Sequence, residues 1–376
     1  MRSHSAIGVL AASLIALGSA THAQILQPTF SLEPSAEDLP TFPPPSSSHF
    51  GTAVAVHRNT AMASIPGLDP PRVAVFTRDA AGMWQRTDTL LDEPAFAIAI
   101  DGDHALLSGP NRLSAYQRQG NAWSRVQTIA TPDTVMDIEI DGDTAAYVTA
   151  ADVDLRELQI QFLHFSRKKQ LWDKGRPLQP SKPFGNSLAL ANNTLVLQGS
   201  GLVYVFQHVG RTWRERQTLL PADGEPSFGS EVAISGDRIV VAARGADFSN
   251  DYGLSNGKVY VFDRRGRFWF ETQELQPSFE ALGGRGQFGS QVAVTPTTLA
   301  VSTEAGMIFD GATTVIYETH GRGRPYELVG RLDVGARPLA ILDAWRNTVL
   351  VGVPWDEHGA PWHIGYALGY VVPQGQ

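Results

Sequence analysis

The sequence predicts an all-β fold, a single seven-bladed β-propeller of four-stranded antiparallel blades. Three observations carry this expectation. A short apolar strand recurs seven times, at 53–56, 97–100, 137–140, 187–190, 231–234, 291–294 and 339–342, with spacings of 44, 40, 50, 44, 60 and 48 residues. Turn residues follow most copies, as in Asp101-Gly102-Asp103, Asp141-Gly142-Asp143, Asn192-Asn193 and Gly236-Asp237. Such pairs tolerate the positive φ of a tight hairpin. A second ruler runs through the later strands: an aromatic closes one strand and Trp follows seven residues on, in Tyr116/Trp123, Phe165/Trp172, Phe206/Trp213 and Phe262/Trp269. Phe76/Trp84 and Tyr317/Tyr326 are looser copies. A period of 40–50 residues with four strands per unit is the signature of propeller blades.

The elements follow in chain order. Arg2, an apolar run from Ala6 to Leu17 and small residues up to Ala23 form an export signal, with cleavage expected after Ala23. The mature chain, 24–376, is then one propeller. Leu26-Gln27-Pro28-Thr29-Phe30 matches Leu275-Gln276-Pro277-Ser278-Phe279, which ends the fifth unit. The seventh unit stops at Gln376 without a Trp or a fourth strand. Residues 24–30 are therefore expected to pair into the last blade and close the ring, and Pro28 suits an outer strand that needs no ladder donor. A Pro/Ser-rich linker, 31–49, leads to the first blade. The second strands, such as Ile239–Ala243 and Thr348–Val351, are apolar throughout, as strands covered on both faces are. The recurring Trp is expected to pack against the next blade.

Composition excludes several classes. The chain has 376 residues, no Cys and a net charge of −8, and loss of Arg2 with the signal makes it −9. Without Cys there is no disulfide scaffold, cysteine nucleophile, thiolate zinc site or lipid-anchored N-terminal Cys. An acidic balance with no basic block argues against nucleic acid. No second apolar run is long enough for a membrane-spanning helix. No nucleophile elbow, phosphate loop, dinucleotide fingerprint or His-Glu-x-x-His stands in the sequence.

These residues resemble the FG-GAP repeat family, the unit of the integrin α-chain propeller and of many exported proteins. The Phe-Gly opening stands at Phe50-Gly51, Phe184-Gly185, Phe228-Gly229 and Phe288-Gly289. Gly352-Val353-Pro354 is a degenerate Gly-Ala-Pro element, and Val259–Trp269 fits the tail of the unit. The resemblance spans nearly all of the mature chain and implies the propeller fold. It also implies calcium in the loop between second and third strands. Here Asp247, Asn250 and Asp251 could supply oxygens to such a hard cation. Their spacing departs from Asp-x-Asp-x-Asp-Gly, and a polar loop capped by Asx turns is the other reading.

The densest chemistry lies in Trp355-Asp356-Glu357-His358-Gly359-Ala360-Pro361-Trp362-His363. Trp355, Trp362, His358 and His363 are candidates for a ligand patch; the His and acid set also allows a metal, and packing of the Trp side chains allows neither. The Asp-Gly-Asp pairs are read as turn chemistry and Arg167-Lys168-Lys169 as a solvated tip. The functional expectation is a non-enzymatic, monomeric, adhesion-like module, exported to the periplasm or beyond, binding a protein or glycan through its loop face. The rivals are a hydrolase or lyase with a site in the central channel, marked by titratable residues converging from several blades, and a calcium-stabilised structural envelope component.

Overall fold

The computed structural model describes residues 23–38, 48–151, 158–178, 180, 183–210, 212–247, 255–278, 282, 286–304, 312–321, 323–334, 340–354 and 365–373. They form seven four-stranded antiparallel sheets arranged as a β-propeller. Blades one to six span residues 54–91, 98–130, 134–174, 184–219, 231–275 and 292–334. Blade seven takes three strands from 341–371 and its fourth from the N-terminal side, Phe30–Leu32.

Alternation of side chains explains how the blades stack. The second strands of blades one, five and seven, Thr60–Ile65, Arg238–Ala243 and Thr348–Val353, are buried at every position. One set of their side chains meets the preceding blade and the other set the following one. Successive hydrophobic clusters accordingly join neighbouring blades. One holds Val196, Val205 and Leu219 of blade four with Ile239, Val241 and Trp269 of blade five.

The recurring Trp packs on the preceding blade rather than the next. Trp123 lies among Met62, Val73 and Leu90 of blade one, and Trp172 among Leu106, Leu113 and Ile129 of blade two. Trp213 stacks on Phe162 of blade three at 5.0 Å, with planes 12° apart. The contacts set this direction: the hydrophobic clusters that hold Trp123 and Trp172 draw on the second, third and fourth strands of the preceding blade. Two registers also differ from expectation. The innermost strand of blade seven is Ile341–Trp345, two residues beyond the expected 339–342, because its turn is Arg346-Asn347 with Arg346 at φ 54°. In blade three, Phe165 lies directly opposite Trp172, and Leu163 holds the place that Tyr116 holds in blade two. A turn over 167–170 replaces the two-residue turn and produces the same spacing of seven by a different register.

The outer edges of the blades are joined by a device the sequence reading overlooked. Gln127 donates its amide Nε2 to the backbone carbonyl of Trp172 at 3.0 Å, and its Oε1 accepts the backbone N–H of Trp172 at 2.8 Å. Gln217 grips Trp269 in the same way at 2.7 and 2.8 Å, and Gln273 grips Tyr326 at 2.9 and 2.7 Å. Each Gln stands four residues after its own blade's Trp. Asp88, at that position in blade one, accepts the N–H of Trp123 at 2.9 Å. A side-chain amide supplies one donor and one acceptor, which is what an open strand edge offers in complement.

The N-terminal segment departs from its expected boundaries. The paired strand is Phe30–Leu32, opposite Gly369, Leu368 and Ala367, whereas 24–30 was expected to pair. Gln24 and Leu26 instead bond the backbone of Arg331 in blade six. A short helical turn, Ala36–Asp38, follows within the expected linker, and the fully buried Asp38 pairs with Arg86. Phe30 lies over the side-chain-free face of Gly369 and stacks on Trp84 of blade one at 5.3 Å. One aromatic thus joins the last blade to the first. Phe30→Ala is expected to cost about 2 kcal/mol in denaturant unfolding, and deletion of residues up to Leu32 to lower stability further. A Phe30→Ala protein as stable as the parent would show that closure does not depend on this ring.

Candidate functional site

Inner strands from all seven blades line a central channel of about 490 Å³. These strands have one open edge, so their backbone N–H groups face the channel or the next blade. Side chains from the preceding blade take several of them. Asp137 accepts the N–H of Leu188 at 2.9 Å, Ser187 that of Val232 at 3.2 Å and Asp343 that of Val56 at 2.6 Å. At the end of the channel nearest the short turns, Asp101 accepts the N–H of Gly142 at 2.6 Å. Asp141 does the same for Asn192 and Asn193. The Asp-Gly-Asp sequences are therefore turns, as read, and their first Asp is also a latch onto the following blade. Their second Asp pairs with an Arg of the third strand or its turn, Asp103 with Arg118 and Asp143 with Arg167, each at 2.8 Å.

His57 shows how geometry sets charge here. Its Nδ1 lies 3.5 Å from Asp101, close enough for an ion pair. That nitrogen also accepts the N–H of Gly102 at 2.6 Å, so it carries no proton and the imidazole is neutral. Burial lowers the His57 pKa in the same sense, against the pull of Asp101. Trp345 of blade seven packs edge-on against this ring at 5.4 Å.

The channel gathers acids from three blades. Burial raises the pKa of Asp137 to about 6, against two backbone amide bonds from Leu188 and Ile138. Asp343 is raised by burial to about 7 despite bonds from Val56 and Ala344. Glu231 is raised to about 8, first by burial and then by the charge of Asp137, with the Ser187 hydroxyl opposing. Glu139 is pushed well up by burial and by the charges of Asp137, Asp343, Glu231 and Asp141. Among the described residues no Lys or Arg lines the channel. Burial therefore shifts all four toward the protonated form relative to isolated carboxyls, Glu231 further than Asp137. The sequence carried a signal for this cluster, since four of the recurring inner strands open on a polar residue, Asp137, Ser187, Glu231 or Gln291, and two of these are acids.

Of the loop candidates, the structure describes Asp247. It lies at φ 57° at the start of the connection between second and third strands of blade five. Its Oδ2 accepts Nδ2 of Asn256 at 2.9 Å and Nε2 of Gln276 at 2.7 Å, which braces the base of that connection. Asn250, Asp251, Trp355, His358, Trp362 and His363 lie outside the described residues. Among the described residues no group of three or more His, Asp or Glu side chains is arranged to hold a metal ion.

The acids make stability depend on pH with a definite sign. Their folded pKa values stand above the unfolded ones, so their contribution is full below about pH 4 and is lost as pH rises through 6 to 8. The melting temperature is expected to fall between about pH 4.5 and 8 and to level off above that. Glu231→Gln should leave it nearly unchanged at pH 4 and raise it at pH 8; equal effects at both would mean that Glu231 titrates normally.

Residues 213–262 match the FG-GAP repeat family. The match begins at Trp213 in the outer strand of blade four and ends at Phe262 in the third strand of blade five, so the repeat spans a blade junction. No curated protein matches the chain in sequence. Solved structures match in fold. A "putative 6-phosphogluconolactonase" from Bacteroides uniformis has a TM-score of 0.55 at 12% identity, covering 77% of this chain and 86% of its own. A second protein of that description, from Bacteroides fragilis, scores 0.53 at 12% identity over 77% and 85%. Sqt1 of Saccharomyces cerevisiae scores 0.52 at 10% identity over 81% and 80%. At these identities the likeness concerns the fold alone. The match over 213–262 is to an FG-GAP repeat, and it lies within a β-propeller of seven four-stranded blades, which supports the resemblance to FG-GAP propellers.

Proposed function

We propose that this propeller is a non-enzymatic binding module of adhesion type, exported and then capturing a protein or glycan through one face of its ring. The observation that supports the reading is the asymmetry of the connections. Turns between first and second strands are two residues long in six blades, such as 102–103, 142–143 and 236–237. The other face carries the connections between second and third strands and between blades, and these include 244–257, 276–291 and 354–365. Long, unequal connections on a rigid scaffold are where recognition resides. Asp247 stands at the start of one of these connections, and the Asp247–Asp251 and Trp355–His363 segments fall within two of them in sequence.

Replacing 248–254 and, separately, 355–364 with short Gly/Ser turns should abolish capture of a glycan or protein ligand found by array screening, with the melting temperature within about 2 °C of the parent. Normal capture by both variants would show the wrong face. Calcium held by Asp247, Asn250 and Asp251 is part of the proposal. A micromolar site would add about 4 kcal/mol at 1 mM calcium by mass action, seen as a higher melting temperature than in EDTA. No shift, or a shift that survives the Asp247/Asp251 double alanine variant, would remove calcium from this loop.

The acids of the channel favour a second reading, a hydrolase or lyase using Glu139 and Glu231 as proton carriers. A phosphorylated substrate, of the kind the name of the Bacteroides proteins implies, fits poorly where no described Lys or Arg lines the channel. An activity on neutral substrates that vanishes in both Glu139→Gln and Glu231→Gln would favour the enzyme over the binding module.

A further inference from the structure

We propose that the outer groove between blades three and four is a binding pocket for a small ring-bearing carboxylate, a sugar acid of about monosaccharide size. The inference is independent of the loop face. It starts from a break in the amide clamps that join the outer edges. Four residues after the Trp of blades two, four and five stands Gln127, Gln217 or Gln273, and four after Trp172 stands Arg176. The fourth strand of blade three stops at Lys174, and beyond it Gly175 and Leu178 donate backbone N–H groups to Phe162 and Ile160 at 2.8 and 3.0 Å. Among the described residues no side chain takes the backbone of Trp213 as Gln217 takes that of Trp269.

Where the clamp is missing the junction opens into a cavity of about 160 Å³, lined by Phe162, His164, Arg176, His208, Thr212 and Trp213, with Pro177 and Leu178 beside them. The walls are flat rings: Trp213 and Phe162 stack at 5.0 Å, His208 lies 5.1 Å from Trp213, and His164 and His208 stack at 6.1 Å. Burial and the neighbouring His208 lower the His164 pKa, so its imidazole is a neutral hydrogen-bonding wall at pH 7. Arg176 is exposed and makes no ion pair with a described residue. Among the described residues no carboxylate lines the cavity. In a chain of net charge −8, a lone guanidinium over an acid-free aromatic cavity suits an anion. Flat ring walls with imidazole and hydroxyl groups suit the faces and hydroxyls of a sugar ring.

Titration calorimetry of the intact protein with D-glucuronate, D-glucose and inorganic phosphate tests this. Glucuronate should bind saturably, and glucose and phosphate at least about tenfold more weakly. Arg176→Met should weaken glucuronate at least about tenfold without a gain in stability. Arg176→Gln restores the amide found at three other junctions; it should close the groove, lose glucuronate binding and raise the melting temperature by about 1–2 °C. Failure of glucuronate to saturate by about 20 mM, equal binding of glucose or phosphate, or unchanged binding by Arg176→Met would overturn the proposal. A fall in melting temperature on Arg176→Gln would overturn the missing clamp as the cause of the cavity.

Discussion

Every blade of this ring is an open sheet with two unpaired backbone edges, one at the channel and one at the rim, and the rest of the structure depends on how those edges are answered. An unpaired edge costs hydrogen bonds when buried and invites foreign strands when exposed. The chain meets both needs with single side chains reaching across junctions. Asp137, Ser187, Asp343, His57 and Asp101 accept amide hydrogens at the channel. At the rim Gln127, Gln217 and Gln273 answer a donor and an acceptor together. Because each bond joins one blade to its neighbour, the same contacts that satisfy the backbone also set the angular position of the blades.

This use of polar groups changes how the channel is understood. Five acids with raised pKa values in one cavity would ordinarily point to catalysis. Three of them, Asp137, Asp141 and Asp343, each hold two backbone amides and so have structural work. Glu139 and Glu231 hold no backbone amide in this way, and their protons are kept by burial and by the charges of the acids around them. The channel is thus a shared electrostatic environment in which the latching acids tune the remaining pair.

Much of the fold was legible in the sequence because its signals are steric. Alternating apolar strands, positive-φ turns and a Trp at fixed phase each leave one residue type at one place, and the seven inner strands follow from them. The polar fastenings were harder to see. Gln127, Gln217 and Gln273 stand on otherwise solvated outer strands, where a Gln carries no message until its partner in the next blade is known. The same limit hid the cavity beside Trp213: it depends on Arg176 being an exception to a pattern that had not been recognised. Registers slipped where turn chemistry was atypical, at Arg346-Asn347 and at 167–170. The direction of Trp packing depends on contacts between blades, which no residue spacing encodes. The loop candidates beyond Asp247 lie outside the described residues, so their reading rests on sequence alone.

The offset between repeat and blade, with Phe30–Leu32 completing the last sheet and the family match running from one blade's rim strand into the next blade, bears on how such a chain can grow. A unit cut at that phase carries Gln217 but ends before Trp269, whose backbone that Gln grips, so the rim seam is shared between consecutive units. Duplication or loss of a whole period would again set the Gln of one unit against the Trp of the next, and the closing strand can stay unchanged while the number of blades evolves.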